Sequence, residues 1–377
     1  MFASRPALRW VVPAGVLAAT FAIGLGGSLL NADAAGSLPP RTAGQLLVDV
    51  QEAAVDGFSG TVVQRADLGI PALPSIQGGG PMGGGDTELQ SLVSGSHTLR
   101  VWYGGPTKTR IALLGTLGES DIINNGRDVW TWSSRENAAT HIRLPASPDK
   151  AKDKQDLPTD LPKTPQEAAE RTLAALDPTT KVTTSGTGRV AGRDVYELIL
   201  TPRDTSSLVG QIRLALDGEN KIPLRVQVFP KSSGEPAFEV AFTQVSFVQP
   251  GEEQFTFKPP AGVKVTEETA PSDTGKREHA TPEKPEKQGP PDGMRVIGKG
   301  WTSVLVAKTG STPSASGGDG PEDALGGYLT SLPRASGSWG SGYLLKGKLF
   351  TALLTDDGRL VAGLVTPERL YAVAAQK

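Results

Sequence analysis

Cysteine is absent from this chain of 377 residues, and histidine occurs 3 times. The lack of cysteine excludes disulfides, thiolate metal sites and a lipid-modified N-terminal cysteine. His97 and His141 lie on predicted strands with no second histidine at ligand spacing, and His279 lies in a polar, proline-rich stretch. We therefore predict no metal site. The formal net charge is −2 without a basic block, so we expect no nucleic-acid partner.

Motifs of common enzymes are also missing. No G-x-S-x-G elbow occurs, so a serine hydrolase lacks its usual nucleophile. The segment "GYLLKGKL" (342–349) has the glycine and lysine spacing of a phosphate loop. However, Leu349 stands where a hydroxyl residue should hold magnesium, and a strand-like run follows instead of a helix. We predict a non-enzymatic protein without a cofactor.

The N-terminus carries a targeting segment. Arg5 and Arg9 precede an apolar stretch, and Ala32 and Ala34 stand as in an A-x-A cleavage site. A signal peptide over 1–34 is the favoured interpretation. The alternative is an uncleaved transmembrane signal anchor, because the stretch is about 20 residues long. In both cases the rest of the chain is extracytoplasmic, either secreted or anchored at the outer face of the cytoplasmic membrane.

Alternating apolar and polar residues dominate the chain after this segment. In "HTLRVWYGG" (97–105) and "VYELILTP" (195–202) every second residue is apolar, and glycines and asparagines lie between such runs. This pattern predicts antiparallel strands joined by hairpins. Helices are predicted at 42–56 and at 164–176, where threonine caps precede helical spacing. The fold class is mainly β (α+β).

Composition divides the chain after the signal segment into three parts. A large domain covers 41–265 and contains a glycine-rich loop at 71–86. A charged, proline-rich stretch at 266–293 has no apolar periodicity and predicts a disordered linker. A small C-terminal α+β module covers 294–377 and closes with a helix that begins near Thr366.

The order of several motifs carries a family resemblance. "FSGTVVQ" (58–64), "NNGRDVWTWSSRENAATHI" (124–142), "VAGRDVYELILTPRD" (190–204) and "IRLALDGENKIPLRVQV" (212–228) follow one another. This succession resembles the lipoprotein-carrier superfamily, which includes LolA, LolB, LppX-type carriers and the N-terminal domain of RseB/MucB. The composition and motif style resemble those of actinobacterial proteins. The two "GRDV" stretches match different family strands, which implies two separate hairpins.

The resemblance, over about 41–265, implies a curved antiparallel half-barrel covered by helices, with an apolar cavity for the acyl chains of a lipid or lipoprotein. Strand alternation predicts that the following side chains line this cavity: Val101, Trp130, Trp132, Tyr196, Leu198, Leu200, Leu214, Val226, Phe238, Val240 and Phe242. Composition alone leaves the alternative open that the helices cover a fully packed core.

Three functions remain open at this point. The first is a lipid or lipoprotein-binding protein of the cell envelope. The second is a regulator similar to RseB, which the resemblance implies would bind a membrane anti-sigma factor or another envelope protein as its partner. The third is an extracytoplasmic enzyme, for which the sequence offers no candidate residues.

Overall fold

The structure is a computed structural model, and it describes the following residues: 38–70, 94–115, 118–144, 178–269, 294–308, 327–329 and 331–376. The signal segment, the glycine-rich loop, the helix predicted at 164–176 and most of the predicted linker lie outside the described residues. These predictions are therefore not tested by the structure.

The first sheet is formed by twelve of the described strands. In chain order they are β1 (Phe58–Ala66), β2 (Gly95–Tyr103), β3 (Lys108–Leu114), β4 (Glu119–Asn125), β5 (Asp128–Ser133), β6 (Ala138–Arg143), β7 (Thr180–Val190), β8 (Arg193–Pro202), β9 (Val209–Asp217), β10 (Pro223–Pro230), β11 (Phe238–Ser246) and β12 (Lys264–Thr269). We call this the large sheet.

The strand order in the large sheet is β12-β6-β5-β4-β3-β2-β1-β11-β10-β9-β8-β7. All neighbours are antiparallel except β12 and β6, which are parallel. The described strands leave β12 and β7 as the two edges, so this sheet is curved but is not a closed barrel. The predicted fold class, a large antiparallel sheet with few helices and a smaller second module, is confirmed.

The two "GRDV" stretches form the turns of separate hairpins. Gly126 connects β4 to β5 with a φ of 70°, and Gly192 connects β7 to β8 with a φ of 76°. Such left-handed backbone angles favour glycine because it has no Cβ. The strand after each turn begins within the Arg-Asp-Val sequence, at Asp128 in β5 and at Arg193 in β8, as the hairpin interpretation predicted.

One α-helix of the large domain lies within the described residues, and a short 3-10 helix (Glu252–Phe255) follows β11. The α-helix, α1 (Ala43–Glu52), begins at a capping box: the Thr42 hydroxyl accepts from the Gln45 backbone at 3.2 Å, and the Thr42 backbone donates to the Gln45 side chain at 3.0 Å. The helix ends at Glu52, four residues before the predicted end. Its Leu46 is fully buried in a cluster with side chains of β8 and β9.

The remaining strands form a second sheet, which we call the small sheet. They are β13 (Met294–Ile297), β14 (Val304–Lys308), β15 (Arg334–Gly337), β16 (Gly340–Lys346), β17 (Thr351–Thr355) and β18 (Arg359–Gly363), in the order β13-β14-β18-β17-β16-β15. Helix α2 (Pro367–Ala374) contacts β17 and β18 and begins where the sequence predicted it.

The structure differs from the predicted linker at its first residues. Residues 266–269 belong to β12, which pairs in parallel with β6 from Lys264↔Ala138 to Thr269↔Arg143. Alternation is hard to see in "KVTEET" because most of this edge strand is exposed and polar. Sequence patterning detects burial, and it therefore misses strands that bury little.

Candidate functional site

The register of the large sheet shows which predicted cavity residues share a face. Directly paired residues on neighbouring strands project to the same side of a sheet. One such row runs Leu198↔Leu214↔Val226↔Val240 across β8 to β11. It continues onto β1 and β2 through Gln64↔His97, since Val240 pairs with Gln64.

Neighbouring rows add the other aliphatic and aromatic residues to this side. Nine of the eleven predicted residues share it, and we call it the apolar face: Val101, Tyr196, Leu198, Leu200, Leu214, Val226, Phe238, Val240 and Phe242. The structure thus brings these nine onto one side of one sheet. Their role in binding a ligand stays a prediction.

Trp130 and Trp132 lie on the opposite face. Val101 pairs with Ile111, which pairs with Ile122, which pairs with Thr131. Thr131 therefore shares the side of Val101, and the two tryptophans that flank it project away. The prediction that both tryptophans project from the same face as Val101 is therefore wrong. Alternation gives the period of a strand but not the side that faces the core.

The opposite face has its own aromatic packing. The ring of Trp130 stacks on His141, with centroids 4.1 Å apart and planes at 6°. Trp130 and Trp132 also contact Phe257, at 5.2 Å and 5.9 Å between centroids. The segment that follows β11 thus packs against these tryptophans. Nothing in the "DVWTWS" pattern itself indicated that this later segment would do so.

Burial on the apolar face is uneven. Val101, Tyr196, Leu198 and Phe242 are buried, and α1 packs over two of them. The remaining predicted residues are only half-buried although they are large and apolar, and they adjoin one another across four strands; we call them the central strip: Leu200, Leu214, Val226, Phe238 and Val240. A large apolar patch that the protein covers incompletely is typical of a ligand-binding surface.

Two further residues extend the central strip. Ile212 and Val228 pair with each other and share the side of Leu200 and Phe238. Both are half-buried. The sequence pattern could have identified both residues. Ile212 is two positions from Leu214 and Val228 is two positions from Val226, so each shares a face with a predicted cavity residue. Their position opposite Phe238 became clear only from the strand register.

The C-terminal module covers one end of the strip. Leu349, which follows β16, packs in one apolar cluster with Leu68, Phe238 and Trp301. The Lys348 backbone donates to the Leu68 carbonyl at 2.7 Å. The large and small sheets therefore meet beside the apolar face.

A second group of contacts joins the two sheets through the backbone. The Leu208 amide donates to the Leu364 carbonyl at 2.9 Å, and the Thr366 amide donates to the Ser206 carbonyl at 2.8 Å. These hydrogen bonds fix the segment between β8 and β9 to the segment between β18 and α2. A side-chain contact adds to them, because the Trp301 indole donates to the hydroxyl of Thr180, on β7, at 2.7 Å.

Buried and half-buried ion pairs lie on the opposite face. Asp121 has 1% exposure and forms a salt bridge with Arg110. Burial, together with the neighbouring Glu119, raises the pKa of Asp121 to about 7 although Arg110 opposes this shift. Glu197 and Arg225 form a second pair at 2.6 Å between the carboxylate and the guanidinium.

Asp217 is buried as well, but its pKa is lowered and not raised. This carboxyl is fully buried, and burial alone would raise its pKa. Hydrogen bonds from Arg193 and Asn220 outweigh this effect and lower the pKa of Asp217. The ion pairs hold strands together, and none of those named here faces the central strip.

The described residues show no feature of a metal centre or of a membrane-spanning helix. In that part of the chain no group of three or more potential ligand side chains could hold a metal ion. His141 contacts Asp128 at 2.9 Å and Glu267 at 2.7 Å, and both carboxylates bind to the ring nitrogens. None of the helices described here combines the length and the hydropathy needed to cross a membrane.

Comparisons with known proteins agree with the motifs. Residues 118–273 match the family model of the MucB/RseB N-terminal domain. The MucA/MucB complex of Pseudomonas aeruginosa is similar at 17% identity, covering 88% of this chain and 96% of that chain, with a TM-score of 0.43. A conserved protein of Thermus thermophilus is similar at 13% identity, covering 60% of this chain and 98% of that chain, with a TM-score of 0.33.

A LolA superfamily protein of Nitrosomonas europaea is also similar. It shares 15% identity, covers 58% of this chain and 99% of its own, and has a TM-score of 0.22. No curated protein matches the sequence. The matched family model describes a family of binding proteins and not of enzymes. The match to this model confirms the resemblance of residues 118–273 to the MucB/RseB N-terminal domain.

Proposed function

We propose that this protein is a non-enzymatic, extracytoplasmic binding protein of the cell envelope that holds the acyl chain of a lipid or lipoprotein on its apolar face. The observation that supports this function is the central strip. Its five large side chains adjoin one another across β8 to β11 and stay half-buried, while the opposite face of the same strands carries the Glu197–Arg225 ion pair.

The energetics of acyl binding favour such a strip. A methylene group moved from water into an apolar site gains about 0.8 kcal/mol, so a chain of about 16 carbons gains on the order of 10 kcal/mol. Isolated apolar residues cannot provide this gain, because each methylene needs an apolar neighbour. A continuous row from Leu214 through Val226 to Val240 provides neighbours along several strands.

Two valine substitutions test this proposal. Val226→Asp places a carboxylate on the central strip, and Val63→Asp makes the same change on the opposite face of β1, where Val63 is also half-buried. We expect Val226→Asp to lower affinity for a fluorescent 16-carbon acyl probe by about 100-fold or more, because a charge there loses its hydration when a hydrocarbon chain covers it. Val63→Asp should leave the affinity within about twofold.

Cooperative thermal unfolding of each variant serves as the folding control. Equal losses of affinity in two folded variants would contradict binding on the apolar face. A wild-type protein that binds no acyl probe would contradict the proposed function itself.

An exposed edge of the small sheet favours a second candidate function, a regulator similar to RseB that binds a membrane protein. β13 is an edge strand, and its Met294 and Val296 are 42% and 56% exposed. Exposed edge strands with apolar side chains can pair with a strand of a partner. Because the small sheet also packs beside the central strip, an acyl ligand and a partner could act on one another through this contact.

Site-specific crosslinking tests this second candidate. A photocrosslinking residue in place of Val296 should capture a membrane protein in cells, while the same residue in place of the exposed Thr243 on the large sheet should not. A crosslinked band that also disappears with Met294→Asp would support pairing at β13. Identical crosslinks from both positions, or none from Val296, would contradict it.

A further inference from the structure

A cavity lies on the small sheet at the C-terminal end of α2. The helix begins beside the contact with the large sheet, where the Thr366 amide donates to the Ser206 carbonyl. It ends at Ala374, about 12 Å further along its axis at about 1.5 Å per residue. At this end Val306, Trp339 and Ala374 take part in lining a cavity of about 800 Å³. The cavity is therefore distinct from the central strip, which lies on the large sheet.

Three cationic side chains line this cavity: Arg295 of β13, Lys308 of β14 and Arg359 of β18. The three strands are neighbours in the small sheet. Arg295 pairs with Val306, and Lys308, two positions further along β14, pairs with Arg359. All three therefore project to the same side as Val306, which packs in one cluster with Leu370 of α2. The strand register thus directs three charges of one sign to one cavity.

This arrangement of charges is unfavourable for the fold alone. Lys308 lies directly opposite Arg359 and diagonally, at about 7–8 Å, from Arg295, and like charges directly opposite one another destabilise a sheet. Asp357 also lines the cavity, but it already accepts from the Arg359 guanidinium at 2.8 Å. Neither Arg295 nor Lys308 has a carboxylate partner in the part of the chain that the structure describes. Three positive side chains and one negative side chain leave an excess of two positive charges.

We propose that this cavity binds the phosphate group of an organic phosphate ester. A phosphate monoester carries about −1.5 to −2 charges at pH 7 and has three strong acceptor oxygens. It therefore matches both the excess of two positive charges and the donors that come from three strands. A carboxylate has one negative charge and two oxygens in one plane, so it leaves one of the cations unpaired. The inference is independent of the acyl-binding function proposed above.

The apolar part of the lining indicates that the ligand is larger than phosphate. Trp339 lines the cavity, and its ring stacks on Tyr371 of α2 with centroids 5.5 Å apart and planes at 18°. A volume of about 800 Å³ is typical of a site for a whole organic molecule. We therefore expect the phosphate to bind between Arg295 and Lys308 and the organic part to contact Trp339. Soluble phosphate monoesters and the phosphatidate headgroup both have this chemistry.

Titration calorimetry of the full-length mature protein with phenyl phosphate, inorganic phosphate and benzoate, in about 0.15 M salt, tests the inference. The wild type should bind phenyl phosphate about tenfold more tightly than benzoate, which has less charge, or inorganic phosphate, which has no ring. Lys308→Gln should weaken phenyl phosphate binding about tenfold. Without ligand it should melt at the same or a higher temperature, because the repulsion from Arg359 is removed. Lys299→Gln, the same change at another exposed site of the small sheet's module, should keep the affinity within about twofold.

Vesicles distinguish the two sources of the phosphate group. Flotation is measured with phosphatidylcholine vesicles that contain or lack phosphatidate. Binding that requires phosphatidate and is lost in Lys308→Gln supports the headgroup of a lipid as the ligand. Binding of phenyl phosphate without binding to the phosphatidate vesicles supports a soluble phosphate ester.

Three results would overturn the inference. The first is a wild-type protein that binds neither phenyl phosphate nor the phosphatidate vesicles. The second is an equal loss of affinity in Lys308→Gln and Lys299→Gln, which would mean that only the overall charge matters. The third is a glutamate-rich peptide that binds more tightly than phenyl phosphate and loses this affinity in Lys308→Gln, which would assign the cavity to an acidic protein segment. If Lys308→Gln does not fold, Arg295→Gln takes its place with the same expected loss.

Discussion

The two sheets of this protein differ in how completely they cover their own apolar side chains. In the small sheet, Leu353 and Val361 are fully buried, and α2 closes the core with its fully buried Leu370. In the large sheet, the central strip stays half-buried although α1 packs nearby. The core between β17, β18 and α2 is therefore complete, and the described strands of the small sheet expose apolar side chains only at their edge, as Met294 and Val296 of β13 do. The large sheet instead leaves apolar side chains partly exposed in its interior strands.

Simple geometry explains part of this difference. The ten residues of α1 span about 15 Å, at about 1.5 Å per residue. Twelve strands spaced about 4.8 Å apart extend over about 50 Å. A helix of this length covers only a few strands, and α1 lies over β8 and β9. The rest of the apolar face needs other cover, which the C-terminal module supplies at one end.

Two leucine substitutions give the largest expected contrast between the sheets. Leu353→Ala, in the small core, should lower the free energy of unfolding by about 2–5 kcal/mol, the usual cost of truncating a buried leucine. Leu214→Ala, in the central strip, should lower it by about 1 kcal/mol, because less surface is buried. Urea unfolding measures both. Equal losses would show that the strip is packed as tightly as the small core.

The pH dependence of stability sharpens the comparison for the opposite face of the large sheet. With a pKa raised to about 7, folded Asp121 keeps a proton that the unfolded chain releases near pH 4, so its stabilising effect is lost as pH rises from about 4 to 7. The upper limit of this loss is about 4 kcal/mol, at about 1.4 kcal/mol per pKa unit.

Asp121→Asn should therefore flatten the stability profile between about pH 4 and pH 7, as measured by urea unfolding at each pH. Asp217 supplies the control, because its pKa is lowered and its stabilising effect is lost as pH falls, which is the opposite sign. A profile for Asp121→Asn with the wild-type slope would show that Asp121 is ionised throughout this range.

The contact between the sheets should give a smaller effect. Leu349→Ala removes a buried side chain from the cluster with Leu68 and Phe238, and it should cost about 2 kcal/mol of local stability. Hydrogen exchange of the Leu208 amide should then accelerate, while amides of β17 stay protected. Uniform acceleration would mean that the two sheets unfold as one unit and that the contact does not open separately.

The smallest expected effect concerns one hydrogen bond at the same contact. Trp301→Phe removes the indole donor to Thr180 but keeps an aromatic ring, and it should cost about 1 kcal/mol. Thr180→Val removes the acceptor, and the double variant should cost no more than the larger single change. Additive losses would show that the two residues act independently.

The sequence predicted the elements of this fold better than their relative positions. Capping at Thr42, hairpins at Gly126 and Gly192 and the final helix near Thr366 depend on local chemistry, and they occur where expected. Strand β12 was missed because an exposed parallel edge carries little apolar periodicity.

The sequence predicted which residues are apolar and alternate along the strands of the site, but it did not predict for every residue the face of the sheet on which the side chain lies. Nine aliphatic and aromatic residues share one face because their strands alternate strongly, whereas Trp130 and Trp132 project to the other side. No local pattern shows that Phe257 would pack against them. Gln64 escaped notice because a glutamine in a strand is ordinarily exposed, and its burial follows only from the strands on both sides.

Native mass spectrometry of the mature protein, purified without detergent from the extracytoplasmic fraction, tests most directly whether the apolar face carries a hydrocarbon ligand. The wild type and Val63→Asp should both show a bound mass that organic extraction removes and that fragments to a long acyl chain. Val226→Asp should be folded and show the bare protein mass. A bare wild-type protein in repeated preparations, or the same bound mass on Val226→Asp, would contradict the account.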